Sequence, residues 1–246
     1  MGAPALLLLA AAAGAADLDA ARKALHKSHG GQLLTKVAAE RLEFQDDALV
    51  WDAYAWAGGD RNRVWLSSEG ELEGSLHELE LQIGYSRAIS PFWDLQMGLR
   101  HDIDPNPSRT YAAVGLSGIT PYWFHVEATA FVSEHGHVSA RVELEYELRL
   151  GQRITLGPRV EAELGSAADD ALALGPGLRQ IEAGLRLHYE ATRGFSPYVG
   201  VNWTRLFSGT ADRALAAGER RSETSLVAGL QSVSYTHLTL PTTPYV

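Results

Sequence analysis

The stretch Arg141-Val142-Glu143-Leu144-Glu145-Tyr146-Glu147-Leu148-Arg149-Leu150 carries a charge at every odd position and an apolar side chain at every even one. Successive side chains of an extended strand point to opposite faces, so this run has one charged face and one apolar face. Residues 180–190 repeat the pattern, with Glu182, Arg186, His188 and Glu190 on one face and Ile181, Ala183, Leu185, Leu187 and Tyr189 on the other. A soluble antiparallel sheet with one wet face shows the same alternation. Length separates the two cases. Ordinary strands have roughly 5–6 residues, a membrane-crossing strand needs roughly 9–11, and most segments here run about 10 to 14.

Working outward from this run, the alternation predicts twelve strands, near residues 37–45, 48–57, 63–72, 77–89, 92–102, 109–119, 121–133, 137–149, 152–164, 178–190, 196–207 and 222–231. An even number suits a bacterial outer-membrane barrel. The connections after even strands are short, whereas the two longest, 165–177 and 208–221, both follow odd strands. Short periplasmic turns and longer external loops are the rule for such barrels. Rings follow three of the short turns at once, in Pro91-Phe92-Trp93, Pro121-Tyr122-Trp123-Phe124 and Ser196-Pro197-Tyr198. They are expected to form an aromatic girdle at the membrane interface.

Energy decides which face points where. An arginine on the lipid face near mid-bilayer costs about 2–4 kcal/mol, so turning the five charges of 141–149 outward would cost on the order of 10 kcal/mol. The charged face therefore lines the lumen, with Asp94, Arg100, Glu127, Arg141, Glu143, Glu145, Arg159, Glu161, Glu163, Glu182 and Arg186 inside. Both signs are interleaved, which predicts cross-strand pairing that fills the lumen. Met97 shares parity with Leu95 and Leu99 and is expected to face lipid.

The fold expectation is thus all-β, a transmembrane antiparallel barrel of about twelve strands over residues 36–232. Residues 1–16, with an uncharged Leu/Ala run, read as an export signal, although no Lys or Arg precedes the run. After it no run of 18 uncharged apolar residues occurs, which excludes a transmembrane helix. Residues 17–35 read as a short periplasmic segment with helix-like spacing, in which His26 and His29 at i and i+3 are candidate cation ligands. Residues 233–246 fall outside the pattern and read as translated adapter DNA, foreign to the chain, so His237 is not counted as functional.

The 246 residues include no cysteine, which rules out disulfides and thiolate metal sites. The net charge is −9 with no basic block, which argues against nucleic acid and fits a protein that meets cations.

Several stretches resemble the copper-resistance protein B family of outer-membrane proteins. They are Ala48-Leu-Val-Trp-Asp-Ala-Tyr-Ala-Trp56, Tyr85-Ser-Arg-Ala-Ile-Ser-Pro-Phe-Trp-Asp-Leu-Gln96, Gly98-Leu-Arg-His-Asp102, Pro121-Tyr-Trp-Phe124 with Ala128-Thr-Ala-Phe-Val132, Glu182-Ala-Gly-Leu-Arg-Leu187, and Pro197-Tyr-Val-Gly-Val-Asn-Trp-Thr-Arg205. The resemblance covers roughly residues 36–230. It implies a non-enzymatic barrel in the outer membrane of a Gram-negative cell that helps export or sequester copper, in outer-membrane lipid and alongside a periplasmic multicopper oxidase. It also implies a Met- and His-rich segment before the barrel. Here Met occurs only at Met1 and Met97, so sequestration is the weaker half of that expectation.

The candidate copper ligands are lumen-facing by parity: His125 and Glu127 on the seventh strand and His188 on the tenth, with copper bound weakly as cargo. Imidazole suits Cu(II) and Cu(I) alike. The alternative role for these histidines is hydrogen bonding to lumenal carboxylates. Two rival functions stand beside copper handling, a general diffusion porin and an outer-membrane lipid hydrolase. The hydrolase rests on His137-Val138-Ser139, yet both polar residues share the lumenal parity of Arg141, away from acyl chains.

Overall fold

A computed structural model describes residues 33–45, 47–104 and 107–238. The export signal and the His26/His29 segment lie outside the described residues. Twelve antiparallel strands follow one another: β1 Leu33–Gln45, β2 Ala48–Gly58, β3 Asn62–Glu73, β4 Ser75–Ser90, β5 Trp93–Asp104 and β6 Arg109–Ile119. The second half holds β7 His125–Ser133, β8 Val138–Glu145 with its continuation Leu148–Arg149, β9 Ile154–Gly165, β10 Gly177–Tyr189, β11 Phe195–Leu206 and β12 Ser222–Leu238. Each strand pairs with its neighbours in sequence and β12 pairs with β1, so the sheet closes and has no edge. Closure satisfies every strand's backbone within the sheet, which is the condition for crossing hydrocarbon.

The gap in β8 has a local cause. Its register with β9 is continuous, from Glu145↔Arg159 to Leu148↔Leu156. Opposite the gap stands Pro158, whose nitrogen carries no hydrogen to donate; its carbonyl still accepts from the Tyr146 N–H at 3.1 Å.

The two ends differ as the loop lengths foretell. The described chain starts at Leu33 and finishes at Leu238 at one end of the barrel, called the termini end, which also holds the turns after β2, β4, β6, β8 and β10. The other end carries the longest connections: 166–176, with a 3₁₀ turn at Asp170–Leu172, and 207–221, which holds α1 Ser208–Ala217, the one α-helix among the described residues. These two loops interlock. Thr210 Oγ1 accepts from the Gly175 N–H at 2.9 Å, and Arg213 donates to the Leu174 carbonyl at 2.7 Å.

Both terminal strands are longer than the alternation implied. Leu33–Ala38 pair with Val233–Leu238, so residues 33–35 already belong to the barrel and the first six residues of the 233–246 segment complete β12. Each extension is the hydrogen-bonding partner of the other, a relation that neither stretch reveals alone.

The burial pattern is inverted relative to a water-soluble protein. Leu226, Phe44, Val199 and Leu99 are exposed on the outer wall, and Met97 joins them as expected. Glu43, Glu80, Arg186 and Arg159 are buried inside. Phe92, Tyr122 and Trp123 are exposed at the end carrying the termini, where a girdle was expected. Tyr198 corrects that expectation. It is buried and its hydroxyl donates to Glu43 Oε2 at 3.0 Å. Its parity with Asn202, and not its nearness to the turn, decides where it points.

Candidate functional site

The lumen is built by register. In-register cross-strand partners bring Glu127 of β7 opposite Glu143 of β8, Glu143 opposite Glu161 of β9, and Glu161 opposite Glu182 of β10. Four glutamates thus form a row around one wall. Like charges directly opposite one another are destabilising, and arginines one step along the strands offset them. Arg159 pairs with Glu143, with Glu161 at 2.6 Å, with Glu182 at 3.1 Å and with Glu145 at 3.5 Å. Arg41 of β1 reaches Glu182 at 3.4 Å and Asp52 at 3.6 Å.

Other pairs cross the bore. Arg141 on β8 meets Glu80 of β4 at 3.0 Å and Glu69 of β3 at 3.6 Å, while its own wall supplies Glu163 at 3.1 Å and Glu161 at 3.4 Å. Glu80 also takes Arg100 at 2.8 Å. Between β10 and β1, Arg186 grips Glu43 with two hydrogen bonds, 3.0 and 2.9 Å. Cross-strand pairing filling the lumen is therefore what the structure shows. Cavities of about 290, 690 and 250 Å³ remain among the described residues.

His125 and Glu127 line the 290 Å³ cavity, toward the end that holds Leu33 and Leu238. His125 opens β7 with Glu145 as its partner across the strand pair. His188 sits near the same end but apart from that cavity. Its ring lies against that of Tyr198, tilted by 42° with centroids 4.7 Å apart, and its Nδ1 is buried with no hydrogen-bond partner among the described residues. The structure thus brings His125 and Glu127 together and leaves His188 to one side. Among the described residues no three His, Cys, Asp or Glu side chains gather into a group that holds a metal ion.

At the loop end stands a cluster that the sequence did not suggest. Asp169 takes both hydrogen bonds of Arg109 Nη2 at 3.0 Å, and His137 Nδ1 lies 2.8 Å from its Oδ2. Arg109 also donates to His135 Nδ1 at 2.7 Å. Burial alone pushes the Asp169 carboxyl up, but the His137 hydrogen bond and the Arg109 charge outweigh it and hold it below the ordinary carboxylate range. The partners lie on three different connections or strand ends, so no local spacing announces them. Asp169 is the carboxylate partner of His137, and both oxygens of that carboxylate are engaged by Arg109.

The model of the family described as "Copper resistance protein B precursor (CopB)" matches residues 33–233, the barrel from its first described residue through most of β12. The chain belongs to the copper resistance protein B family. Two relatives agree with that membership. Copper resistance protein B of Escherichia coli is 38% identical over 222 residues, covering 86% of this chain and 75% of that protein. The Copper resistance protein B homolog of Pseudomonas syringae pv. tomato is 40% identical over 224 residues, covering 87% and 76%. Among solved structures, a NanC porin superposes with a TM-score of 0.53 at 14% identity, covering 81% of this chain and 98% of its own. That likeness speaks for the barrel fold of this copper resistance protein B member and for nothing finer.

Proposed function

We propose that this copper resistance protein B barrel sits in the outer membrane and passes copper ions along its lumen, binding them weakly on the way. The observation that carries this reading is the glutamate row, an acid-rich wall that begins beside His125 and Glu127. Carboxylates attract and briefly hold a hydrated divalent ion, and an imidazole adds a nitrogen donor that copper prefers over alkali and alkaline-earth cations. The reading puts the barrel end with Leu33, Leu238 and His125 in the periplasm and the 166–176 and 207–221 loops outside. A periplasmic multicopper oxidase, the partner that the family resemblance implies, would then meet the His125 end.

His188 is the weaker of the two lumenal histidines, because its ring is committed to Tyr198. Passage is favoured over storage, since methionine is confined to Met1 and the outward-facing Met97. A general diffusion porin is disfavoured by the arginine pairs that cross the bore.

Copper content of the purified barrel, measured by mass spectrometry after dialysis, tests the reading. About one to two ions per chain are expected, lost as the pH falls through the range where an imidazole takes up a proton. His125→Ala should remove most of that copper and lower copper tolerance in a host lacking its own homologue. His188→Ala should matter less, and so should His26→Ala with His29→Ala. Undiminished binding in the His125→Ala/His188→Ala double variant removes these ligands from consideration. A wild-type barrel that retains no copper favours the porin.

A further inference from the structure

We propose that Arg141 is the gate of this barrel, a single side chain whose withdrawal toward its own wall joins the cavities on its two sides into a cation-conducting path. The inference deepens the reading of copper passage and rests on it only for the identity of the ion.

The placement of Arg141 carries the argument. The 290 Å³ cavity at the termini end, the 690 Å³ cavity toward the loop end and the 250 Å³ side cavity are all lined by Arg141. Glu69 is shared by the first two and Glu163 by the last two. The guanidinium therefore stands where the cavities meet. It gets there by spanning the bore. In the closed sheet β8 lies four strands from β4 and five from β3, close to the opposite wall of a twelve-strand ring.

Its partners divide into two sets. Glu161 and Glu163 stand on the neighbouring β9, while Glu69 and Glu80 stand across the lumen. Withdrawal breaks only the second set. The arginine keeps two carboxylates on its own wall, and Glu80 keeps Arg100 at 2.8 Å, so neither the cation nor the more buried of the two cross-lumen carboxylates is stranded. Withdrawal thus leaves Arg141 and Glu80 paired and frees only the less buried Glu69, which is what a two-state element needs if its states are to lie close in energy. Phe131 supports the closed position, with the Arg141 guanidinium 5.9 Å from its ring centre.

The sign of the selectivity follows from what stays behind. With the guanidinium gone from the bore, Glu69 faces the opening alone and the glutamate row leads away from it. Rings and rows of carboxylates select cations. The closed state presents a fixed positive charge between the cavities and repels them.

Planar-bilayer recording in potassium chloride tests the gate without copper. The wild-type barrel is expected to conduct poorly. Arg141→Gln should raise single-channel conductance at least about fivefold and move the reversal potential toward that of potassium. Arg141→Lys, which keeps the charge but not the fork that reaches both walls, should fall between. Arg213→Gln, on the external loop, should conduct as the wild type does. Should Arg141→Gln fail to fold, as judged by gel mobility before and after heating, Arg141→Gln/Glu163→Gln relieves the wall carboxylate that lost its arginine and should show the same gain. Folded variants with wild-type conductance, or a gain that favours chloride, overturn the gate. Copper entry into vesicles holding a chelating dye then separates the two ideas: a variant that conducts potassium faster but admits no more copper leaves the gate standing and removes copper as its cargo.

Discussion

Glu43 is 1% exposed, and inside a barrel such a carboxylate is tolerable only because Arg186 and the Tyr198 hydroxyl occupy both its oxygens. Breaking a buried pair by removing one partner costs about 3–5 kcal/mol, whereas replacing both by apolar side chains of similar volume is often neutral. Glu43→Ala is therefore expected to destabilise the barrel by that amount in urea titrations in detergent. Glu43→Leu/Arg186→Met should recover most of the loss. A double variant as unstable as the single one would show that the pair matters for more than mutual compensation. The site is also tight. A Cβ on Gly229 would stand 2.6 Å from the Tyr198 ring and 2.7 Å from the Glu43 Cβ, so Gly229→Val should expel the tyrosine from its seat. At this scale the sequence was legible through parity: Tyr198 shares a face with Asn202, whereas reading it from the adjacent turn sent it outward.

Elements show where strand geometry is under strain. In the turn between β6 and β7, Pro121 and Tyr122 fill the central positions, closed by the Trp123 N–H on the Thr120 carbonyl at 3.1 Å. Tyr122 at φ 78° and Trp123 at φ 67° are bulky residues in left-handed backbone, where a turn that starts with proline wants glycine. Tyr122→Gly is expected to stabilise the turn by about 1 kcal/mol, read as a higher urea midpoint. An unchanged or lower midpoint would mean that the ring's interfacial contact outweighs the strain. On the outer wall, Leu99 in the middle of β5 is 56% exposed. Leu99→Arg should cost about 2–4 kcal/mol in a bilayer and far less in the absence of lipid. An equal cost in both would argue against a lipid-facing wall. At the loop end, the Arg109–Asp169–His137 cluster ties 166–176 to β6 and the β7–β8 connection. A carboxyl whose folded value is lowered contributes stability that is complete above its ordinary value, about 3.9, and lost as the pH drops through the lowered one. Hydrogen exchange in 166–176 should accordingly stay slow at pH 5 and accelerate only in stronger acid, and Asp169→Asn should make it fast at both.

For the whole molecule, the inverted burial predicts its handling. Unheated protein in detergent should run faster on a gel than boiled protein, because a closed barrel has no edge from which the detergent can unzip it. A folded monomer that stays in solution without detergent would contradict the exposed aliphatic belt. The lumen belongs to this scale too. Alternation told which residues face inward, and the presence of both signs told that they pair, but Arg141–Glu80 and Arg186–Glu43 join strands distant in the ring. Which carboxylate an arginine reaches across a barrel depends on strand number, tilt and stagger together. His125, Glu127 and His188 illustrate the same gap, since all three were placed on the inner face and only the first two came to line one cavity.

The sequence by itself determined the number of strands, their approximate limits, the face each turns to lipid and the end that bears the long loops. These follow from a period of two and from the cost of a charge in hydrocarbon, both local quantities that a stretch such as 141–150 already contains. Tertiary structure alone decided the joining of Leu33–Ala38 to Val233–Leu238, the glutamate row, the latch at Asp169 and the position of Arg141 where the cavities meet. Each depends on register and closure, which bring together residues tens to hundreds of positions apart, and no local pattern encodes the distance across a lumen.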